Sequence, residues 1–188
     1  MMIKIGYQGI QNSNSEAAAI EFVKHAKLKN YIMLPLVSSF NVLDNVDNGN
    51  IDYGVIAYRN NTGGTVKESV QALKFLQLQL VEEITMPISH YLFVKCESIS
   101  IASIEAIASH PQAFVQCQHT LSENYPNTIL VHDEDTATAA RKLRLELFSE
   151  HTAVLCRKNA GEKNNLYLVH SNLEDRNDNS TSFRVYKK

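Results

Sequence analysis

At 188 residues, 44% of them hydrophobic and 20% charged, the chain can bury a real core as one domain or two small lobes, as an ordinary soluble protein does. A formal net charge of -2 and a pI near 6.4 give no global basic field. That argues against nucleic acid and anionic membranes as partners and leaves any anion to be caught locally. No apolar run reaches spanning length, and the opening Met-Met-Ile-Lys-Ile-Gly-Tyr reads as a strand rather than a signal sequence, so a cytoplasmic location is expected. Cys96, Cys117 and Cys156 are odd in number, far apart and flanked by apolar residues, which suits buried reduced thiols better than disulfides or zinc.

In chain order, Ile3, Ile5 and Tyr7 alternate as in a strand, and Ser13 and Glu16 have capping-box spacing ahead of a helix over 17–23. A strand over 32–37 leads to Ser38-Ser39, caps for a short helix over 40–46 that Asn48-Gly49 closes. The strand over 51–57 runs into a polar glycine loop, Arg59 to Thr65, before an amphipathic helix carrying Val66, Val70 and Leu73. Residues 80–84 and 88–95 read as extended, with Met86-Pro87 marking a boundary or an edge. A short helix over 101–106 and a strand over 107–109 follow, and Pro111 opens a helix whose inner face holds Phe114, Cys117 and Leu121. Strands are expected over 128–132, 152–156 and 166–170, and helices over 137–148, capped by Asp135-Thr136, and 157–162. At the end, an Asn-rich acidic loop runs into the alternating Thr181, Phe183 and Val185 of a last strand.

Alternating strands and helices predict an α/β protein of parallel sheets with helices on both faces. Ligands of such sheets sit beyond the carboxyl ends of the strands, where the polar clusters of this chain fall, so one cleft could draw on all of them. Much familiar chemistry is excluded. Gly63-Gly64-Thr65-Val66-Lys67 has the wrong spacing for a phosphate-binding lysine loop, and Gly6 and Gly9 do not make a dinucleotide fingerprint. The seven histidines are scattered without zinc-ligand spacing, and no Gly-x-Ser-x-Gly elbow exists. What remains is rich in hydroxyls, amides and helix N-termini, able to hold carboxylates and to protonate a leaving oxygen.

Ser109-His110-Pro111-Gln112-Ala113 resembles the Ser-His-Pro-Gln-Ala block of prephenate dehydratases. Companion blocks stand in the family's order. They are Tyr7-Gln8-Gly9 with Ser15-Glu16-Ala17-Ala18; Ser39-Phe40 with Gly49 and Asp52-Tyr53-Gly54-Val55; and Asn60, Thr62 and Gly64 of a Glu-Asn-Ser loop. Pro87-Ile88 with His90, Asp135-Thr136-Ala137 with Ala139-Ala140, and Asn179 with Thr181-Ser182-Phe183 on Asn-x-Thr-Arg-Phe complete the series. The resemblance implies two α/β lobes of the periplasmic-binding-protein-like (type II) kind with parallel or mixed sheets and an interlobe cleft. Lobe 1 would hold residues 1–86 and 171–188, and lobe 2 residues 87–170. It further implies a homodimer or dimer of dimers. A regulatory ACT domain commonly follows the Thr-Arg-Phe block in the family; this chain stops at Lys188, so feedback inhibition through that module is expected to be missing.

The implied reaction takes carbon dioxide and a ring hydroxyl from the dicarboxylate prephenate, giving phenylpyruvate without metal or cofactor. The implied catalytic residue is Thr181, and the implied substrate-binding residues are Arg59, Asn60, Asn61, Thr62, Ser15, Ser109, Gln112, Thr136 and Phe183. Three positions depart from the family pattern: the motif arginine is Ser182, the loop glutamate is Arg59 and the loop serine is Asn61. Serine cannot replace a bidentate arginine. Arg59 could carry that charge from the facing position, and Arg184, on the same strand face as Ser182, is a second candidate. The departures leave open an arogenate dehydratase, a prephenate decarboxylase, or a non-catalytic metabolite-binding homologue acting as sensor or partner subunit.

Overall fold

The computed structural model describes residues 2–188, which form two units. Unit 1 takes the chain up to Ile88 and again from Asn179 to Lys188; unit 2 is Ser89–Asp178.

Unit 1 contains β1 (Ile3–Tyr7), α1 (Asn14–His25), β2 (Tyr31–Pro35), α2 (Ser39–Asp47), β3 (Tyr53–Asn60), β4 (Gly64–Thr65), α3 (Lys67–Leu73) and β5 (Gln79–Pro87). Unit 2 contains β6 (Tyr91–Val94), a 3-10 turn (Ile101–Ser103), β7 (Ala106–Ser109), α4 (Pro111–Gln116), α5 (Gln118–Asn124), β8 (Ile129–His132), α6 (Thr136–Arg144), β9 (Thr152–Cys156), α7 (Lys158–Lys163) and β10 (Tyr167–His170). The chain then returns to unit 1 as β11 (Ser180–Lys187).

The sheets are mixed rather than parallel. Unit 1 has the order β2-β1-β3-β11-β5, with β4 paired to the end of β3; unit 2 has β10-β6-β9-β7-β8. In the first sheet β11 runs against β3 and β5, and in the second β6 runs against β9 and β10, while the β1–β2, β1–β3, β7–β8 and β7–β9 pairs are parallel. In each unit the reversed strand is the one that enters from the other unit. A right-handed crossover helix gives parallel neighbours, and these two strands have none before them.

Each sheet is covered on both faces because its strands alternate. Ile5, Tyr7, Val55, Ile84, Phe183 and Val185 pack against Ala18, Ala19, Phe22 and Val23 of α1. On the other face Ile56 and Tyr186 meet Val42 and Leu43 of α2 and Ala72 of α3. In unit 2, Leu92, Val94, Ile107, Ala153 and Leu155 bury Phe114, Cys117, Leu121 and Tyr125 of α4, α5 and their junction. Helices α6 and α7 take the opposite face, where the ring of Phe93 fills the space left by the missing side chain of Gly161.

Helix ends explain most departures from the expected elements. The helix expected to reach residue 148 stops at Arg144, because Glu146 takes a left-handed conformation (φ 60°) and Leu147 N–H bonds back to Lys142 O at 3.0 Å. Lys27 ends α1 and Asn165 ends α7 in the same way, whereas Gly49 ends α2 as its sequence foretells. The expected 101–106 helix is a single 3-10 turn, and the Pro111 helix breaks at Cys117 into α4 and α5. Cys117 and Cys156 are buried free thiols, but Cys96, in the turn after β6, is exposed. Unit 2 keeps the chain through Asp178, eight residues beyond the expected return. Leu173 N–H bonds to His90 O at 3.0 Å, Asp175 N–H to Gln116 O at 2.8 Å, and the Asp175 carboxylate accepts from the N–H groups of His119 and Thr120.

Gly54 of β3 leaves room for α2: a Cβ there would lie 2.6 Å from Val46 Cγ2 and 2.7 Å from Val42 Cγ1. Both neighbours are stiff β-branched side chains. Gly54→Ala is therefore expected to destabilise the protein by about 1–3 kcal/mol, read as a lowered denaturation midpoint with the cooperativity of the transition retained.

Candidate functional site

Thr181 is the second residue of β11 and 8% exposed. It pairs with Asn60 on β3 and Met86 on β5, held on both sides. The Asn60 amide nitrogen lies 2.9 Å from each of three oxygens: Thr181 Oγ1, Asn179 Oδ1 and Ser180 O. Because the Thr181 oxygen accepts from Asn60, its own proton remains available to a further acceptor, and the accepted bond strengthens that donation. Asn60 Oδ1 in turn takes the N–H groups of Thr62 (3.0 Å) and Gly63 (2.7 Å), an Asx turn that forms the β3–β4 hairpin. Asn61 and Ser180 exchange two bonds, Asn61 N–H to Ser180 O at 3.0 Å and Ser180 N–H to Asn61 Oδ1 at 2.9 Å. The expected polar glycine loop is thus a hairpin tied to the start of β11. Asn60, Asn61, Thr62 and Thr181 do come together, with the Asn60 amide hydrogen-bonded to the Thr181 hydroxyl.

Arg59 faces Ser182 directly across the ladder, as the reciprocal substitutions suggested. Opposed residues share a face and neighbours along a strand alternate, so both lie on the face opposite Thr181 and Phe183. Ser182 Oγ bonds Thr85 Oγ1 of β5 at 2.9 Å, whereas Arg59 is exposed and forms no ion pair among the described residues. Arg184 is already engaged: its Nε donates to Glu83 Oε2 at 2.6 Å and its guanidinium stacks 3.4 Å from the Tyr58 ring centre. Phe183, 1% exposed among Ile5, Phe22 and Val55, is a core side chain rather than a substrate contact in this structure.

The other nominated residues are placed separately. Ser15 is buried in the first turn of α1, whose N-terminus is closed by Ser13 Oγ on Glu16 N–H and by Glu16 Oε2 on Asn12 N–H at 2.7 Å. Glu16 Oε1 accepts from the Tyr7 hydroxyl at 3.1 Å, and burial, reinforced by Glu16, pushes the Tyr7 pKa up. In unit 2, Ser109 is fully buried with Oγ donating to Leu155 O at 2.6 Å, a cross-strand tie. His110 Nδ1 caps α4 by accepting from Gln112 N–H at 3.1 Å, leaving Gln112 exposed. Thr136 begins α6, but Asp135 already fills that N-terminus, accepting from Ala137 N–H at 2.7 Å and Thr138 N–H at 2.8 Å. A cavity of about 400 Å³ lined by Phe114, Leu121, Tyr125 and Leu130 contains none of the nominated residues. Among the described residues, no group of three or more His, Cys, Asp or Glu side chains is placed to hold a metal ion, and no helix is long and apolar enough to cross a membrane.

Two polar residues that the sequence offered only as motif matches, not as site residues, are also buried here. Asn179, 3% exposed, is the third member of the Asn60 cluster. His90, 4% exposed, pairs through Nε2 with Gln116 Oε1 at 2.7 Å, and its Nδ1 is buried without a partner.

The two chain crossings, each entering a sheet as a reversed strand, define a mixed α/β protein with the periplasmic-binding-protein-like fold. The family model described as prephenate dehydratase matches residues 5–188, and the chain belongs to that family. It is 28% identical over 183 residues to the bifunctional chorismate mutase/prephenate dehydratase of Pseudomonas aeruginosa, a match covering 97% of this chain and 48% of that one. It is 27% identical over 183 residues to arogenate dehydratase/prephenate dehydratase 2, chloroplastic, of Arabidopsis thaliana, covering 96% and 45%. The chain therefore spans about half the length of the curated relatives it matches. The crystal structure of the prephenate dehydratase of Arthrobacter aurescens in complex with L-Phe superposes with a TM-score of 0.88 at 23% identity, covering 99% of this chain and 60% of that one.

Burial holds the His90 pKa below 6.5, against the opposing pull of Gln116 and Glu174. The unfolded chain then binds the proton more readily than the folded one, so the neutral ring's contribution to stability is complete above about pH 6.5 and is lost as the pH falls towards the folded value. Thermal melts should show stability declining through that window by up to about 1.4 kcal/mol per pH unit, with a shallower slope in His90→Gln.

Proposed function

We propose that the protein is a lyase that converts prephenate to phenylpyruvate in phenylalanine biosynthesis. The observation that carries this reading is the Thr181 hydroxyl, oriented by the Asn60 amide at 2.9 Å on a strand bonded along both edges. Decarboxylation leaves the electron pair of the broken carbon–carbon bond to enter the ring. The ring carbon–oxygen bond breaks as aromaticity forms, and the hydroxyl departs as water once it takes a proton. Thr181 supplies that proton through a short hydrogen bond and regains one from solvent, since a free hydroxyl is too weak an acid to stay ionised. The rest is orientation of two carboxylates, for which Asn61, Thr62, Ser15, Ser109, Gln112 and Thr136 remain the nominated residues and which needs no cofactor. On this reading the protein works in the cytoplasm as a homodimer or dimer of dimers.

Arg59 suits long-range attraction better than direct contact, being exposed and on the face away from Thr181. A second reading, a non-catalytic homologue that binds an aromatic-pathway metabolite, is favoured by Ser182, whose hydroxyl is committed to Thr85 where the family pattern has arginine. Arogenate in place of prephenate is distinguished by assaying both substrates.

Purified protein with prephenate should form phenylpyruvate, and Thr181→Ala should lower kcat by about 100-fold or more with the melting temperature little changed. Saturable stabilisation by prephenate without turnover would transfer support to the binding homologue. Arg59→Ala should raise KM roughly three- to tenfold at low ionic strength, the difference shrinking as salt is added. A KM unaltered at low salt would remove Arg59 from substrate capture.

A further inference from the structure

The cluster around Thr181 contains a surplus buried donor. Asn179 Oδ1 accepts from Asn60 Nδ2 at 2.9 Å and from the Thr62 hydroxyl at 3.5 Å, and its backbone carbonyl accepts from Ile88 N–H at 2.9 Å. Its Nδ2 is buried and meets no acceptor among the described residues. The amide cannot relieve this by turning over, because Nδ2 would then face the Asn60 nitrogen, donor against donor. A buried donor left unpaired costs about 1–3 kcal/mol. Here the surrounding bonds enforce it, the pattern of strain retained at a functional site. The imbalance is local. Three oxygens, from Asn179, Ser180 and Thr181, converge on one Asn60 nitrogen that has two hydrogens, while the neighbouring Asn179 nitrogen has two hydrogens and no oxygen.

We infer that Asn179 Nδ2 is a specificity-determining donor for a carboxylate oxygen of the ligand that Thr181 serves. This rests on the proposed function and extends it to a residue of the same site. The carboxylate class follows from the chemistry: the group must be an acceptor, and an anionic acceptor repays the desolvation of an amide better than a neutral one. A neutral donor here also supplies directional recognition in a chain with serine, not arginine, immediately after Thr181.

Asn179→Asp tests this directly, because it keeps the acceptor that holds Asn60 and replaces the donor by oxygen. With native circular dichroism, the variant should show a KM for prephenate raised at least tenfold and kcat changed much less. The KM should recover as the pH is lowered and the new carboxyl regains a proton, a response that a purely structural role would not give. Asn179→Ser, which shortens the donor without adding charge, should raise KM at least fivefold. In the wild-type protein, the Asn179 side-chain amide signals in a nitrogen-15 spectrum should move on adding prephenate. A folded variant with KM within twofold of wild type, or amide signals that do not move in a protein saturated with prephenate, would overturn the inference. If the wild type binds prephenate without turning it over, the lyase reading fails, and the ratio of dissociation constants between wild type and variant decides the role of Asn179. Absence of both binding and turnover would overturn both.

Discussion

Unit 1 is completed by a strand that arrives from the far end of the sequence: Asn60 and Ser180, whose groups lie 2.9 Å apart, are separated by 120 positions. Before β11 enters, β3 and β5 have no partner between them, one face of the sheet lacks Phe183 and Val185, and the other lacks Tyr186. Closing so long a loop carries an entropic penalty that these ladder bonds and buried side chains must offset together. The side chains that fasten the entry point, Asn60 and Asn61, are the same ones that orient Thr181. Site geometry and fold closure therefore rest on one set of contacts, and the threonine inherits the rigidity of the core beneath it.

The same economy governs the helix termini. An α/β protein offers helix N-termini to anions, and several here lay close in sequence to the nominated residues. The structure fills them with its own carboxylates at three helices: Asp135 at α6, Asp175 at α5, and Glu68, which takes Ser39 N–H at the start of α2 at 2.9 Å. Each orphan donor so satisfied stabilises its helix, and each leaves a negative charge where a dicarboxylate would otherwise gain from the dipole. On the proposed function, recognition of an anion would therefore fall to side-chain donors rather than helix ends, and chiefly to the hydroxyl of Thr181 and the amide of Asn179.

What the sequence conveyed and what it withheld divide along physical lines. Strand alternation, the Ser13 and Asp135 caps and the Gly49 stop are local and were legible. The end of α6 was not, because Glu146 holds a left-handed conformation that carries no compositional mark and is steadied by Lys95, 51 positions away. The reversal of β6 and β11 and the late return at Asn179 are set by pairing between distant segments, as in the hold of Gln116 and His90 on residues 173–175. The meeting of Thr181 with Asn60 was legible through motif order. The core position of Phe183 followed from alternation alone, yet its place in the motif had marked it for the substrate.

The reciprocal change at Arg59 and Ser182 shows how register refines an inference from sequence. Facing positions on an antiparallel pair are natural sites for charge exchange, and these two residues do face one another. Alternation from the Thr181–Asn60 pair, however, puts them on the face away from Thr181, and the ladder shifts register next to them, between Ser182 and Phe183. On the proposed function, a guanidinium there would act on a dianion through the field at the strand mouth, not through a bidentate contact at the reacting ring. Such a field speeds capture and is screened by salt, whereas alignment of the ring depends on short directional bonds. On the proposed function, the serine at position 182 would bear first on how the substrate is drawn in, and the chemistry at Thr181 would depend on Asn60 and its neighbours keeping their geometry.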